Sequence, residues 1–130
     1  MAEIGEVRSE IVGPITRVDI ARYAGASGDF NPIHIDEAFA KSAGFPSVFA
    51  MGMLTSAHLS RLVTGWFGLT AVQRFSTRFT GRVWPDDRLT LGARIEAIEA
   101  VADGDRIELE LWVENQDDQR VIVGKATVLG

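Results

Sequence analysis

Asp29 and His34 stand close together in the segment Gly28-Asp29-Phe30-Asn31-Pro32-Ile33-His34, which sets an acid beside a group that titrates near neutral pH. An unperturbed histidine has a pKa of about 6.5, so both of its protonation states are accessible at physiological pH. Pro32 fixes one backbone dihedral between the two residues. Gly28 permits tight backbone geometry just before the acid. Asn31 can hydrogen-bond locally and hold the turn. A rigid loop presenting an Asp and a His is what general acid–base catalysis requires. The same residue types also suit an ordinary surface loop, where Asp and Asn before Pro are common.

Other polar residues offer less. His58 can face a pocket or serve as a hydrogen-bonded structural histidine, and the second reading is the expectation. Ser56 and Ser60 are spaced to share one face of a helix. Ser60 is either a site residue or a helix serine bonded to a backbone carbonyl. It has no basic neighbour in sequence that would make it a nucleophile. Two histidines without a cluster, and no cysteine, give no pattern for a metal site. Trp66, Phe67, Phe75 and Phe79 can line an apolar pocket, with core packing the default for each. Arg61, Arg74, Arg78 and Arg82 can meet a phosphate or stand as solvated surface charges.

These residues need elements to hold them. Glu6 to Val12 reads as a first strand, interrupted by Pro14. Thr16 and Asp19 have capping-box spacing, and Ile15 and Ile20 that of a hydrophobic staple. A helix is therefore predicted from about Thr16 to Ala26, with Gly25 and Gly28 helping to end it. A loop carrying Asp29, Asn31, Pro32 and His34 follows. Asp36 can cap a short helix through Lys41, with Gly44 as its stop.

The segment from Gly52 to Trp66 is helical in pattern. Its apolar residues Met53, Leu54, Ala57, Leu59, Leu62 and Val63 spread around most of the circumference, so it needs a structure to wrap it. The second half supplies strands: Arg74 to Val83, Arg88 to Ile98, Arg106 to Glu114 and Arg120 to Leu129. Alternation such as Leu89, Leu91, Ala93, Ile95 gives each one buried face. Ala102-Asp103-Gly104-Asp105 and Asp117-Asp118 are turn signals between neighbouring strands, and short turns imply antiparallel pairing. The fold class is α+β, a single domain over residues 1–130 with one central helix held against a curved antiparallel sheet.

Bulk properties fit. The chain has 130 residues, one domain's worth, with 46% hydrophobic and 24% charged residues. A net charge of −5 without a Lys/Arg run argues against nucleic-acid binding. No apolar run is long enough to span a bilayer, and the acidic N-terminus does not read as a signal peptide, so a cytoplasmic protein is expected.

The run from Tyr23 to Asp36, with its Asp-x-Asn-Pro-x-His core, closely resembles the signature of the MaoC-like dehydratases, which include the (R)-specific enoyl-CoA hydratases. The resemblance continues through Ala38-Phe39-Ala40 and Gly52-Met53-Leu54. It resumes in Arg78-Phe79 and in Val83-Trp84-Pro85-Asp86-Asp87. It implies a hot-dog fold and an enoyl-thioester hydratase, equivalently a 3-hydroxyacyl-thioester dehydratase. It implies Asp29 and His34 as the acid–base pair, and Gly52 as the residue whose backbone N–H holds the thioester carbonyl. Ser60 matches an active-site serine of hydratase relatives, and Asn31 a residue that supports the loop. The substrate would carry CoA or the phosphopantetheine of an acyl carrier protein, with no other cofactor. A homodimer or higher homo-oligomer is expected, with a heterodimer of related subunits as the alternative.

Two rival functions share this fold. A hot-dog thioesterase needs an acidic residue on or near the central helix, and none occurs between Gly44 and Asp86. A non-catalytic acyl-binding subunit would lack the Asp or the His. The chain departs from the family at Met51, where relatives often carry His before the glycine, so the helix entrance is expected to differ. Asp86 replaces a turn glycine and is expected to affect turn geometry only.

Overall fold

The computed structural model describes residues 2–130. The elements run in the order β1 (Val7–Val12), α1 (Arg17–Ser27), α2 (Pro32–Ile35), α3 (Glu37–Ser42), α4 (Gly52–Phe67), a 3-10 turn (Leu69–Ala71), β2 (Val72–Phe79), β3 (Leu89–Val101), β4 (Gly104–Glu114) and β5 (Arg120–Leu129). The strands form one sheet in the order β1-β3-β4-β5-β2, and every pairing is antiparallel. A helix lying on a single antiparallel sheet is the hot-dog arrangement expected from the sequence.

Local chemistry explains the elements that lead to the site. The Thr16 N–H donates to Asp19 Oδ2 at 2.8 Å, and the Asp19 N–H donates to Thr16 Oγ1 at 3.0 Å. This closes the predicted capping box at the start of α1. Ile15 and Ile20, the staple pair, are both buried. Gly28 ends α1 in the left-handed region at φ 75°, a conformation glycine adopts without steric cost. Asp36 caps α3 by accepting from the Phe39 N–H at 3.1 Å.

The core lies between α4 and the concave face of the sheet. Leu59 and Val63 meet Leu89, Leu91, Ile95, Ile107, Leu109, Leu111, Ile122 and Val128, the alternate residues of three central strands. Burial of this kind is the main stabilising term in such a domain. Ser56 on α4 also hydrogen-bonds Thr77 on β2 at 3.0 Å, which fixes the helix along the sheet edge.

Several expectations need correction. The loop holding the Asp–His pair contains a helical turn, α2, with Pro32 at its first position. Pro suits that position because its missing N–H would have had no helical partner. The strand expected from Arg74 to Val83 is β2, which starts at Val72 and stops at Phe79. β3 continues past Ile98 to Val101, where Ala102 and Asp103 make the link to β4. α4 is covered on most of its circumference, as expected, and Met53, 57% exposed, and Arg61 mark its open side.

Candidate active site

The loop after α1 is built from successive turns in which each polar side chain serves the backbone two residues on. The Ser27 hydroxyl donates to the Tyr23 carbonyl at 2.7 Å and accepts from the Asp29 N–H at 3.2 Å. Asp29 Oδ1 accepts from the Asn31 N–H, and Asn31 Oδ1 accepts from the Ile33 N–H, both at 3.2 Å. Short polar side chains favour such local turns. The series leaves Asp29 with one oxygen engaged and the other, Oδ2, directed at His34.

His34 is buried and fixed from the opposite side. Its Nδ1 lies 2.7 Å from the carbonyl oxygen of Phe49. A carbonyl only accepts, so Nδ1 carries the hydrogen and Nε2 presents a lone pair in the neutral ring. Nε2 lies 3.8 Å from Asp29 Oδ2. That is too far for a direct hydrogen bond. Two acceptors therefore face one another across a gap that a donor of two hydrogen bonds would bridge.

Phe49 is in turn held by aromatic neighbours. Its ring meets His34, Phe45 and Trp84 edge-on at centroid distances of 5.1, 4.9 and 5.7 Å. Arg82 stacks over Phe45 and Phe49 at 4.9 and 5.5 Å, so a cation sits beside the site. Phe49 also links the pair to the mouth of α4. A cavity of about 130 Å³ adjoins Gly52, with Phe49, Thr55, Phe79 and Arg82 in its walls.

No side chain caps the start of α4. Its first N–H groups and the helix dipole are thus available to a negatively charged oxygen. The half-exposed Phe79 ring lies over Gly52 and would have to swing aside for any side chain there. A Cβ on it would lie 2.7 Å from the Phe79 ring. The residue before it, Met51, is buried in the core.

The structure brings Asp29, Asn31 and His34 together and sets Gly52 beside them through Phe49. It does not place Ser60 there. Ser60 donates to the Ala57 carbonyl at 2.7 Å and lies two helical turns on, about 12 Å along the axis from Gly52. His58 is half-buried and has no hydrogen-bond partner among the described residues, so it is not the bonded structural histidine that was expected. Trp66, Phe67 and Phe75 pack on the core as expected, whereas Phe79 is half exposed and covers Gly52. Arg61, Arg74, Arg78 and Arg82 are all exposed. No metal-binding cluster occurs among the described residues. Phe49 carried no signal in the sequence, because it acts through its carbonyl.

Fold and site together define a hot-dog domain with an Asp and a His facing each other near the open end of its helix. The MaoC-like domain model matches residues 2–103, and the chain belongs to that family. It is 35% identical over 109 residues to the fatty acid synthase beta subunit TOXC of Cochliobolus carbonum, a match covering 82% of this chain and 5% of that protein. It is 43% identical over 65 residues to 3-hydroxyacyl-thioester dehydratase X of Mycobacterium tuberculosis, covering 50% of this chain and 22% of the relative. The chain thus spans a small part of these curated relatives. The unliganded R-hydratase PhaJ1 of Pseudomonas aeruginosa superposes with a TM-score of 0.87 at 27% identity, covering 99% of this chain and 82% of that one. The family is one of hydratases and dehydratases, which are hydro-lyases.

Proposed function

We propose that the chain catalyses the reversible addition of water to a trans-2-enoyl thioester, giving the (R)-3-hydroxyacyl thioester. The observation that carries this reading is the gap between His34 Nε2 and Asp29 Oδ2. Both atoms accept, and a water molecule has the two hydrogens needed to satisfy both. Its oxygen lone pairs are then free to attack C3 of the substrate. His34 Nε2 accepts one proton as the C3–O bond forms, and Asp29 holds the water by the other. The proton on Nε2 then passes to C2. Negative charge gathers on the thioester oxygen during attack. The Gly52 N–H at the uncapped end of α4 is the donor for it, and one such donor contributes about 3 kcal/mol in comparable enzymes. The reverse sequence expels water from the 3-hydroxyacyl form. The reaction so written draws on no metal or redox cofactor, and the substrate brings its own CoA or phosphopantetheine.

Exposed apolar residues surround the mouth of this site. Phe30 is 61% exposed, and Met53 and Phe79 flank Gly52 with more than half of their surface open. A second protomer covering them gives the homodimer that we propose as the working assembly. Light scattering of the purified protein tests this point.

The activity test is direct. Purified protein is mixed with short trans-2-enoyl-CoA thioesters, and loss of the conjugated-enoyl absorbance is followed. Asp29→Ala and His34→Ala are expected to lose more than about a hundredfold each. Wild-type rates in both folded variants would refute the mechanism. Free-thiol release in place of hydration would make the chain a thioesterase.

A further inference from the structure

Thr55 stands in the wall of the Gly52 cavity and is not used by the acid–base pair. It is 2% exposed, yet its hydroxyl has no hydrogen-bond partner among the described residues. The other hydroxyls of α4 are each bonded: Ser56 to Thr77, Ser60 to the Ala57 carbonyl and Thr64 to the Arg61 carbonyl. Among the described residues no buried side-chain nitrogen or oxygen is both sealed off and without a partner, so the Thr55 oxygen opens onto the cavity. A hydroxyl kept from bulk water and left unpaired is costly. It stays unpaired only until something in the cavity accepts from it.

Helix geometry directs this hydroxyl to the same place as the Gly52 N–H. Residues three apart share one face of a helix, with Cβ atoms about 5–6 Å apart. Cα–Cβ bonds tilt toward the helix N-terminus, so Thr55 leans back over the first turn of α4, where no side chain caps it. The cavity, of about 130 Å³, is close in size to one that takes a benzene ring, which suits a thioester carbonyl and the atoms beside it better than a long chain. No carboxylate lines it, and its two polar side chains, Thr55 and Arg82, can both donate. Arg82 has no ion-pair partner among the described residues. Donors without a neighbouring acid favour an oxygen on which negative charge develops.

We propose that the Thr55 hydroxyl is a second donor to the thioester oxygen and forms, with the Gly52 N–H, a two-donor oxyanion site at the open end of α4. This rests on the hydratase reading above. As water attacks C3, the C2–C3 π pair shifts to join C1 and C2, and the carbonyl π pair moves onto oxygen. The Thr55 hydrogen stays on Thr55 and strengthens its bond to that oxygen as the charge grows. Protonation of C2 restores the carbonyl. The bond is strongest in the transition state, so it acts mainly on kcat.

Thr55→Val and Thr55→Ser are assayed for hydration of short trans-2-enoyl-CoA thioesters, with thermal unfolding of the same preparations. Valine keeps the shape and removes the hydroxyl, whereas serine keeps the hydroxyl. Thr55→Val is expected to lower kcat about a hundredfold with little change in KM. Its Tm is expected to stay level or rise, because no hydrogen bond of the folded protein is lost. A hydroxyl with a purely structural role would give the opposite pattern, a lower Tm with kcat retained. Thr55→Ser is expected to stay within about tenfold of wild type. The thioester carbonyl stretch of bound butyryl-CoA, read by infrared difference spectroscopy, should lie higher in Thr55→Val than in wild type, since one hydrogen bond to that oxygen is gone. A folded Thr55→Val with kcat within about threefold of wild type, or a Thr55→Ser that loses as much as the valine variant, overturns the inference and leaves the hydratase reading intact. Failure of folded wild type to hydrate any of the thioesters overturns both.

Discussion

The replacement Asp29→Asn separates chemistry from architecture at the proposed site. The asparagine keeps an oxygen where Asp29 Oδ1 accepts from the Asn31 N–H, so the turn series from Ser27 to Ile33 survives. Its amide nitrogen then faces His34 Nε2, which is 3.8 Å from the oxygen it replaces. An N–H donor opposite a lone pair draws the two atoms toward hydrogen-bond distance, about 3 Å. The gap that would hold water closes, and the charge that would support the imidazolium is gone. Asp29 has 45% of its side chain exposed, so folding stability should change by no more than about 0.5 kcal/mol. Loss of general acid–base assistance is expected to lower kcat/KM by about 10²- to 10⁴-fold, or about 3–5 kcal/mol of barrier. Enoyl-CoA hydration assays with thermal unfolding of the same preparations measure both quantities. A folded Asp29→Asn variant within tenfold of wild type would refute the reasoning.

Four further outcomes follow from the structure. Thr16→Ala should cost about 1 kcal/mol by removing the cap of α1, measured by urea unfolding. Hydrogen bonds from Thr16 hold the Asp19 carboxyl below its ordinary pKa, so its contribution is present above the unfolded value and fades as pH falls through the folded one. The stability gap between wild type and Asp19→Asn should therefore narrow in acid, and a gap that widens there would contradict it. Asp86 sits in the left-handed region at φ 74°, so Asp86→Gly should raise stability by up to about 1 kcal/mol in the same assay. Met51 is 3% exposed in the core, so Met51→His should destabilise by about 2 kcal/mol, while Met51→Leu costs less than about 1.5 kcal/mol.

Where the sequence carried a repeated physical signal, the element was legible. The capping box and staple of α1, the alternation of β3 and β4, and the Asp36 cap all describe interactions that form between near neighbours. The helical turn α2 was not legible because four residues carry no period. The early end of β2 at Phe79 was hidden for a different reason. The chain from Thr80 onward is drawn back to the core by Val83, and Asp87 closes the following turn by accepting from the Trp84 N–H at 2.9 Å and from Gln116 at 2.9 Å. Gln116 sits in the turn between β4 and β5, so this contact joins the link before β3 to a distant turn, which no local pattern reports. His58 was misread because an isolated histidine on a helix gives no sign of whether a partner lies opposite.

The proposed site is assembled largely from backbone groups, and this bears on what sequence can say about it. Phe49 sets the His34 tautomer with its carbonyl, the Asn31 N–H orients Asp29, and the Gly52 N–H stands at the open end of α4. The acid–base pair itself is two side chains, Asp29 and His34, and other side chains pack on the backbone groups that orient them: Trp84 and Arg82 on Phe49, and Phe79 on Gly52. Met51 fits the same logic. Its side chain turns into the core, leaving the N–H groups that follow it unblocked. Replacing a histidine there changes what lies under the helix entrance without removing any group that the proposed chemistry uses.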